Sequence, residues 1–159
     1  MLKKSFLIIV VLVLIVSSCV SCQKQYGETL TAEEIELLKA VEDDIQVVHE
    51  PEYVSTLTVL QSHSHDYEGQ IFQLEGVYSE KYGHGETPCV YRSVMMEGDE
   101  WIYSMLITGF NKEISEGSWI RVTGILSNKA DDHGHTNVVL DVLAIEILSS
   151  EGNPLIDAD

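Results

Sequence analysis

Five apolar segments, separated by polar or glycine-containing turns, dominate the second half of this 159-residue chain. The segments are rich in β-branched and aromatic residues, which is typical of strands. The predicted strands cover residues 70–79, 89–96, 101–108, 119–126 and 138–148. A long connector separates the third strand from the fourth. The pattern therefore predicts a mainly β fold, a small closed five-stranded barrel, and leaves a five-stranded sandwich open as the alternative.

A helix is predicted in front of the strands, over residues 31–46. Thr31 and Glu34 have the spacing of a capping box, in which each side chain accepts a hydrogen bond from the other residue's backbone N–H. Apolar side chains then recur at helical intervals, at Ile35, Leu38, Val41 and Ile45. The helix is therefore predicted to be amphipathic.

Residues 47–62 fit two structures. Pro51 suits the first turn of a helix, with Leu57 and Leu60 on one face. The β-branched residues of the same stretch favour a strand instead. We favour the helix and leave the strand open.

The charge of the chain is strongly asymmetric. Nine Lys and Arg stand against 26 Asp and Glu, a formal net charge of -17, and no acidic residue precedes Glu28. Affinity for nucleic acid comes mostly from Lys and Arg that neutralise phosphates, so the composition excludes nucleic acid as a partner. It also argues against electrostatic docking on anionic lipid.

The first residues predict export. Lys3 and Lys4 precede an unbroken apolar run over residues 6–16, which is shorter than the roughly 20 residues of a membrane-spanning helix. Small residues then lead into Cys19, as in the signal of bacterial lipoproteins, where the cysteine is lipidated. This predicts a signal peptide over residues 1–18 and a tether over residues 19–30. Lipidation at Cys22 and an uncleaved signal anchor stay open as alternatives.

The exported chain would carry a larger negative charge than the full sequence. Without the signal peptide, seven basic residues face 26 acidic ones, a charge of -19. If Cys19 is lipidated, Cys22 and Cys89 are the two cysteines that remain. Two cysteines at this spacing do not form a disulfide framework. Cys89 begins an apolar strand and is predicted to be a buried structural thiol. The polar tail over residues 149–159 is predicted to be frayed.

Two sequence motifs carry a family resemblance. "YEGQIFQLEGVY" at 67–78 and "EGSWIRVTGIL" at 116–126 resemble the OB fold, a partly open Greek-key barrel, in which glycines such as Gly76 and Gly124 let a short barrel close. They also resemble the soluble C-terminal domain of a family of uncharacterised bacterial membrane proteins classed as permease subunits. The resemblance covers residues 50–148 and implies an OB-like domain over residues 47–148 that works near a transport system.

This chain departs from that family in two ways. A lipoprotein leader replaces the membrane-spanning half. Met95 and Met96 stand where the family carries a pair of cysteines. Any function of the family that depends on those cysteines is therefore not expected of this chain.

Four of the six histidines form two His-x-His pairs, His63 with His65 and His133 with His135. Asp131 and Asp132 directly precede the second pair. Imidazole is a strong ligand for zinc, copper and nickel, and a neighbouring carboxylate can bind the metal or orient the ring. In an extended chain the i, i+2 spacing places both rings on one side. The first and fourth strands of an OB barrel are antiparallel neighbours, so the two pairs are predicted to meet at one end of the barrel.

The sequence thus predicts a lipid-anchored binding protein on the outer side of the cell membrane, not an enzyme. In the sharper hypothesis it binds a divalent metal, zinc, and its partner is a permease or another envelope protein. A metal-free module that binds an envelope protein or a small ligand is the alternative. Exposed histidines with no ligand role, a calcium site and a metal-dependent hydrolase also stay open.

Overall fold

The computed structural model describes residues 29–84, 87–131, 133–149, 152 and 154–157. The predicted signal peptide, Cys19, Cys22 and Asp132 lie outside the described residues, as does the predicted tether up to residue 28. No helix in the described ranges is long and apolar enough to cross a membrane.

The described residues are mainly β, with a seven-stranded sheet and few helices. The strands are β1 Ile45–Val47, β2 Ile71–His84, β3 Thr87–Met96, β4 Asp99–Thr108, β5 Trp119–Ala130, β6 Thr136–Ile147 and β7 Leu155–Asp157. The helices are α1 Ala32–Ala40, α2 Tyr53–Ser62 and α3 Ser64–Tyr67, with 3-10 turns at Glu42–Asp44 and Glu50–Glu52. All five predicted strands are present as β2 to β6, whereas β1 and β7 were not predicted.

The long strands pair in a continuous cycle. The sheet order is β1-β2-β5-β6-β4-β3-β7, and β2 also pairs with β3. Each of β2 to β6 therefore has two of the other long strands as neighbours. Only β4 and β6 pair in parallel among these long strands of the described chain. The turn between β3 and β4 is a hairpin, with Glu97 at φ 54 and Gly98 at φ 91.

Strand β2 changes partner in its middle, at Val77, directly after Gly76. Its first half pairs with β5 up to Val77, and its second half pairs with β3 from Val77 onward. A Cβ atom on Gly76 would lie 2.6 Å from the carbonyl oxygen of Tyr91, and one on Gly124 would lie 2.8 Å from that of Asp141. Both glycines therefore permit a close approach of backbones that a side chain would prevent.

The predicted helix over residues 31–46 is shorter than expected, because α1 ends at Ala40. Its start confirms the capping box: the Glu34 N–H donates to Thr31 Oγ1 over 3.2 Å, and the Thr31 N–H donates to Glu34 Oε2 over 2.7 Å. Acidic residues follow its end, where the negative pole of the helix dipole disfavours them. Ile45 instead pairs with Ile71 and begins β1.

Residues 53–62 form a helix, which settles the open choice in favour of α2. Tyr53, Leu57 and Leu60 are buried on one side of it. Helical spacing of these large apolar residues therefore overrides the strand propensity of their β-branched neighbours. They join the side chains of β2 to β6 in one hydrophobic core.

The prediction of a frayed polar tail is wrong for residues 155–157. They form β7, which pairs in parallel with β3. Ile156 is 7% exposed and packs in the core, and the Ser93 N–H donates to the Pro154 carbonyl over 2.9 Å. Pairing with β3 and burial of Ile156 therefore hold this segment despite its polar sequence surroundings.

Glu34 fastens α1 to the sheet as well as capping it. Its carboxylate also accepts hydrogen bonds from Lys112 Nζ over 2.9 Å and from the Ile145 N–H over 3.1 Å. Burial opposes the charged form, but these bonds and the one from Thr31 outweigh it and hold the pKa of Glu34 below its ordinary value of 4.5. The ionised carboxylate therefore stabilises the fold above that pH, and the stabilisation is lost as pH falls through the lower folded-state pKa.

We expect Glu34→Gln to lower the free energy of unfolding by about 2 kcal/mol at pH 7, because it removes the charge from several hydrogen bonds at once. The difference from the wild type should shrink when pH falls below 4.5, the ordinary pKa. Urea unfolding at several pH values measures both effects. Glu33→Gln changes an exposed residue of the same turn and is the control. A difference that stays constant down to pH 3 would contradict this account of Glu34.

Candidate metal-binding loop

The loop between β5 and β6 is organised by Asp131. Its Oδ1 accepts the backbone N–H groups of His133 over 2.9 Å and of His135 over 2.8 Å. The backbone closes the same turn, since the Asp131 N–H donates to the His135 carbonyl over 2.8 Å. Gly134 occupies the left-handed region at φ 81, which few other residues adopt readily. Aspartate and glycine thus fix the turn that carries both histidines.

The two imidazoles of this loop lie close together and are exposed. The ring centroids of His133 and His135 are 6.5 Å apart, with 54° between the ring planes. Nδ1 of His135 lies 3.4 Å from Asp131 Oδ2, outside hydrogen-bond geometry. This buried oxygen accepts no hydrogen bond within the described part of the chain. A carboxylate oxygen and two imidazoles are therefore neighbours on one short loop.

Local hydrogen bonds keep Asp131 ionised. The N–H of His135 contributes most, burial opposes it, and the N–H of His133 and the electrostatic effect of the His135 ring add to the lowering. The result is a pKa of Asp131 below its ordinary value. A carboxylate that is ionised in mildly acidic solution can serve as a metal ligand or as an acceptor for a ring N–H.

Neither histidine pair has the extended geometry that was predicted. His133 and His135 lie in a turn around Gly134. Residues 64–67 are helical, so His63 and His65 do not lie on one side of an extended chain either. His63 Nδ1 is 2.8 Å from Ser62 Oγ, and His65 Nδ1 is 3.9 Å from a Glu68 carboxylate oxygen. Ser64, between them, is 8% exposed.

The predicted pairing of the first and fourth strands is confirmed as β2 with β5. This pairing alone does not establish that the two histidine pairs share a site. The start of β2 lies beside β5, where the Gly69 N–H donates to the Leu126 carbonyl over 2.9 Å. Strand β5 continues to Ala130, which carries the 131–135 loop about 13 Å further on. Among the described side chains, no three His, Cys, Asp or Glu residues are grouped to hold a metal ion. The meeting of the two histidine pairs stays a prediction.

Sequence reasoning missed the environment of Arg92. Arg92 and Arg121 are rare cations in an acidic chain, so each is expected to pair with a carboxylate at the surface. Arg121 pairs with Glu75 and Glu146, and Arg92 pairs with Glu50. The Arg92 side chain, however, is only 6% exposed. Its guanidinium lies 5.5 Å from the Tyr53 ring centroid and 5.3 Å from that of Trp119. The only sequence signal of this buried environment was the position of Arg92 inside a largely apolar predicted strand.

Cys89 has the environment that its sequence position predicts. Its side chain is fully buried in β3 and forms no disulfide within the part of the chain that the structure describes. Burial, helped by the nearby Glu116 carboxylate, raises the pKa of the Cys89 thiol to about 11. The group is therefore a thiol at neutral pH, which disfavours a nucleophilic role.

The described residues define a mainly β domain that presents two histidines on a loop between strands. The chain belongs to the family described as the DUF1980 C-terminal domain, whose model matches residues 10–155. This is an uncharacterised domain family, so the match agrees with the expected class of domain. A search of curated proteins finds no match to the chain.

Proposed function

We propose that this protein is a lipid-anchored binding protein on the outer side of the cell membrane, and that its 131–135 loop binds a divalent metal ion, zinc. The single observation that carries the metal proposal is the arrangement around Asp131. Its buried Oδ2 lacks a hydrogen bond among the described residues and lies 3.4 Å from Nδ1 of His135. A buried polar atom without a partner calls for an explanation, and a bound cation is one.

The ligand chemistry favours zinc or copper over calcium and magnesium, because imidazole nitrogen is the main donor. Two imidazoles on one tetrahedral zinc ion have ring centroids about 5 Å apart. The observed 6.5 Å separation of the His133 and His135 rings is close to this value. As they stand, Asp131, His133 and His135 do not form a group of metal ligands, so binding would require the two exposed imidazoles to turn toward Asp131 Oδ2. That oxygen would then be a third donor, and water or a residue of the first histidine pair would supply the fourth.

The scaffold for this loop is, in our proposal, an OB-like Greek-key barrel of β2 to β6. The cyclic pairing of the five long strands supports closure. The parallel pairing of β4 with β6, beside antiparallel neighbours, fits the OB arrangement. Strand β2 pairs with both β5 and β3 around Gly76, as a bent first strand of such a barrel would. Association with a transport system rests on the family resemblance alone.

Zinc should shift the ring signals of His133 and His135 in NMR spectra of histidine-labelled protein, and saturate them at one equivalent. Magnesium should leave them unmoved. Asp131→Asn should weaken zinc binding about tenfold or more, because loss of a supporting carboxylate typically has this effect. Asp99→Asn, in the exposed β3–β4 turn, is the matched control. Ring signals that do not respond to zinc would overturn the metal proposal and favour the metal-free binding module.

The lipid anchor has its own test. Radiolabelled palmitate should be incorporated into the wild-type protein and into Cys22→Ser, because Cys19 follows the small residues of the signal. Cys19→Ser should abolish the label. Label that persists in Cys19→Ser and disappears in Cys22→Ser would move the anchor to Cys22.

A further inference from the structure

A cavity of about 410 Å³ lies between α1 and the face of the sheet that points away from the core. This volume is in the range of small-molecule sites. Apolar side chains from α1, the segment before it and β1 form one wall, with Leu30, Leu38, Ile45 and Val47 as its members. Strands β2, β5 and β6 form the opposite wall.

The opposite wall carries a row of charges in register across three strands. Glu75 pairs with Arg121, and Arg121 pairs with Glu146, in the strand alignment. Arg121 Nε donates to Glu75 Oε1 over 2.8 Å, and NH1 donates to Glu146 Oε2 over 2.6 Å. Within the described residues, the second oxygen of each carboxylate accepts no hydrogen bond. Both oxygens are therefore available to a donor in the cavity.

The charge of the side chains that line the cavity determines whether a cation or an anion is favoured as a ligand. Two carboxylates of the lining, those of Glu75 and Glu146, share the one guanidinium of Arg121, so this row of charges has a net negative charge. The side chain of Glu146 is only 11% exposed, so water screens its charge weakly. A cation is favoured and an anion disfavoured, and the apolar wall favours a ligand that also has a hydrocarbon part.

We propose that this cavity binds a small organic ammonium ion with an apolar arm. The ammonium group would donate to the unoccupied oxygens of Glu75 and Glu146, and the arm would pack on Leu38 and Val47. The site is independent of the histidine loop. Glu146 lies ten residues along β6 from Thr136, which is about 33 Å of extended chain. Failure of either proposal leaves the other intact.

The probe is hexylammonium, with hexanoate and methylammonium as comparisons, followed in NMR spectra by the backbone amide signals of Leu38, Val47 and Thr123. We expect saturable shifts with hexylammonium, at least tenfold weaker binding of methylammonium and none of hexanoate. Val47→Lys places a tethered ammonium in the cavity and should weaken hexylammonium binding at least tenfold.

Val59→Lys is the matched control, because it makes the same charge change at an exposed valine on α2, away from the cavity. It should bind hexylammonium within twofold of the wild type. The proposal is overturned if hexylammonium gives no saturable shifts, if hexanoate binds equally well, or if the two lysine variants behave alike.

Discussion

Replacing Gly76 with alanine is expected to lower the free energy of unfolding by about 2–3 kcal/mol, the range for overpacking a tightly packed position. The added Cβ would lie 2.6 Å from the Tyr91 carbonyl oxygen and 2.9 Å from Val90 Cγ2. Neither backbone can retreat easily, because β2 pairs with β5 and β3 on its two sides at this point. Urea unfolding measures the change.

The control for Gly76 is Gly69→Ala, just before the same strand. Gly69 is at φ 84 but has no atom within 4 Å of an added Cβ, so it carries only the backbone cost of about 1 kcal/mol. The ranking of the two variants therefore isolates the steric effect. If Gly76→Ala is no less stable than Gly69→Ala, the close approach of β2 and β3 is not a constraint on the fold.

Arg92→Ala is the second variant with a large expected effect, a loss on the order of 3 kcal/mol. The substitution removes a buried side chain stacked between Tyr53 and Trp119 and leaves a void. It also removes the 2.8 Å ion pair with Glu50. Arg92→Lys should recover only part of the loss, because an ammonium group lacks the planar surface that stacks on two rings.

Glu50→Gln separates stacking from ion pairing at this site. Glu50 is 53% exposed, so loss of its charge should cost less than about 1 kcal/mol. Urea unfolding of the three variants gives the comparison. Equal losses for Arg92→Ala and Glu50→Gln would show that the ion pair, and not the stacking, dominates.

Much of this fold could be predicted because alternating apolar residues and turn glycines mark the long strands directly. The capping box of α1 was equally readable, since its two hydrogen bonds join residues three apart. By contrast, β1 and β7 are three-residue strands whose order depends on the free edges of β2 and β3. Such tertiary pairing leaves little pattern in the sequence.

The candidate site likewise has features with a local cause in the sequence and features without one. The turn at 131–135 has a local cause, because Asp131 accepts backbone hydrogen bonds within it and Gly134 takes the left-handed region. Both histidine pairs were nonetheless expected in an extended chain, and residues 64–67 are helical instead. The burial of Arg92 and the cavity beside α1 depend on residues distant in sequence, which spacing alone cannot bring together.

The central claim is that the 131–135 loop binds zinc, and calorimetric titration of the full chain with zinc tests it most directly. The wild type should bind one zinc ion per chain, and the double variant His133→Ala/His135→Ala should bind at least tenfold more weakly, because two of its ligands are gone. His49→Ala, an exposed histidine outside the loop, should match the wild type. Equal zinc affinity in the double variant and the wild type would contradict the claim.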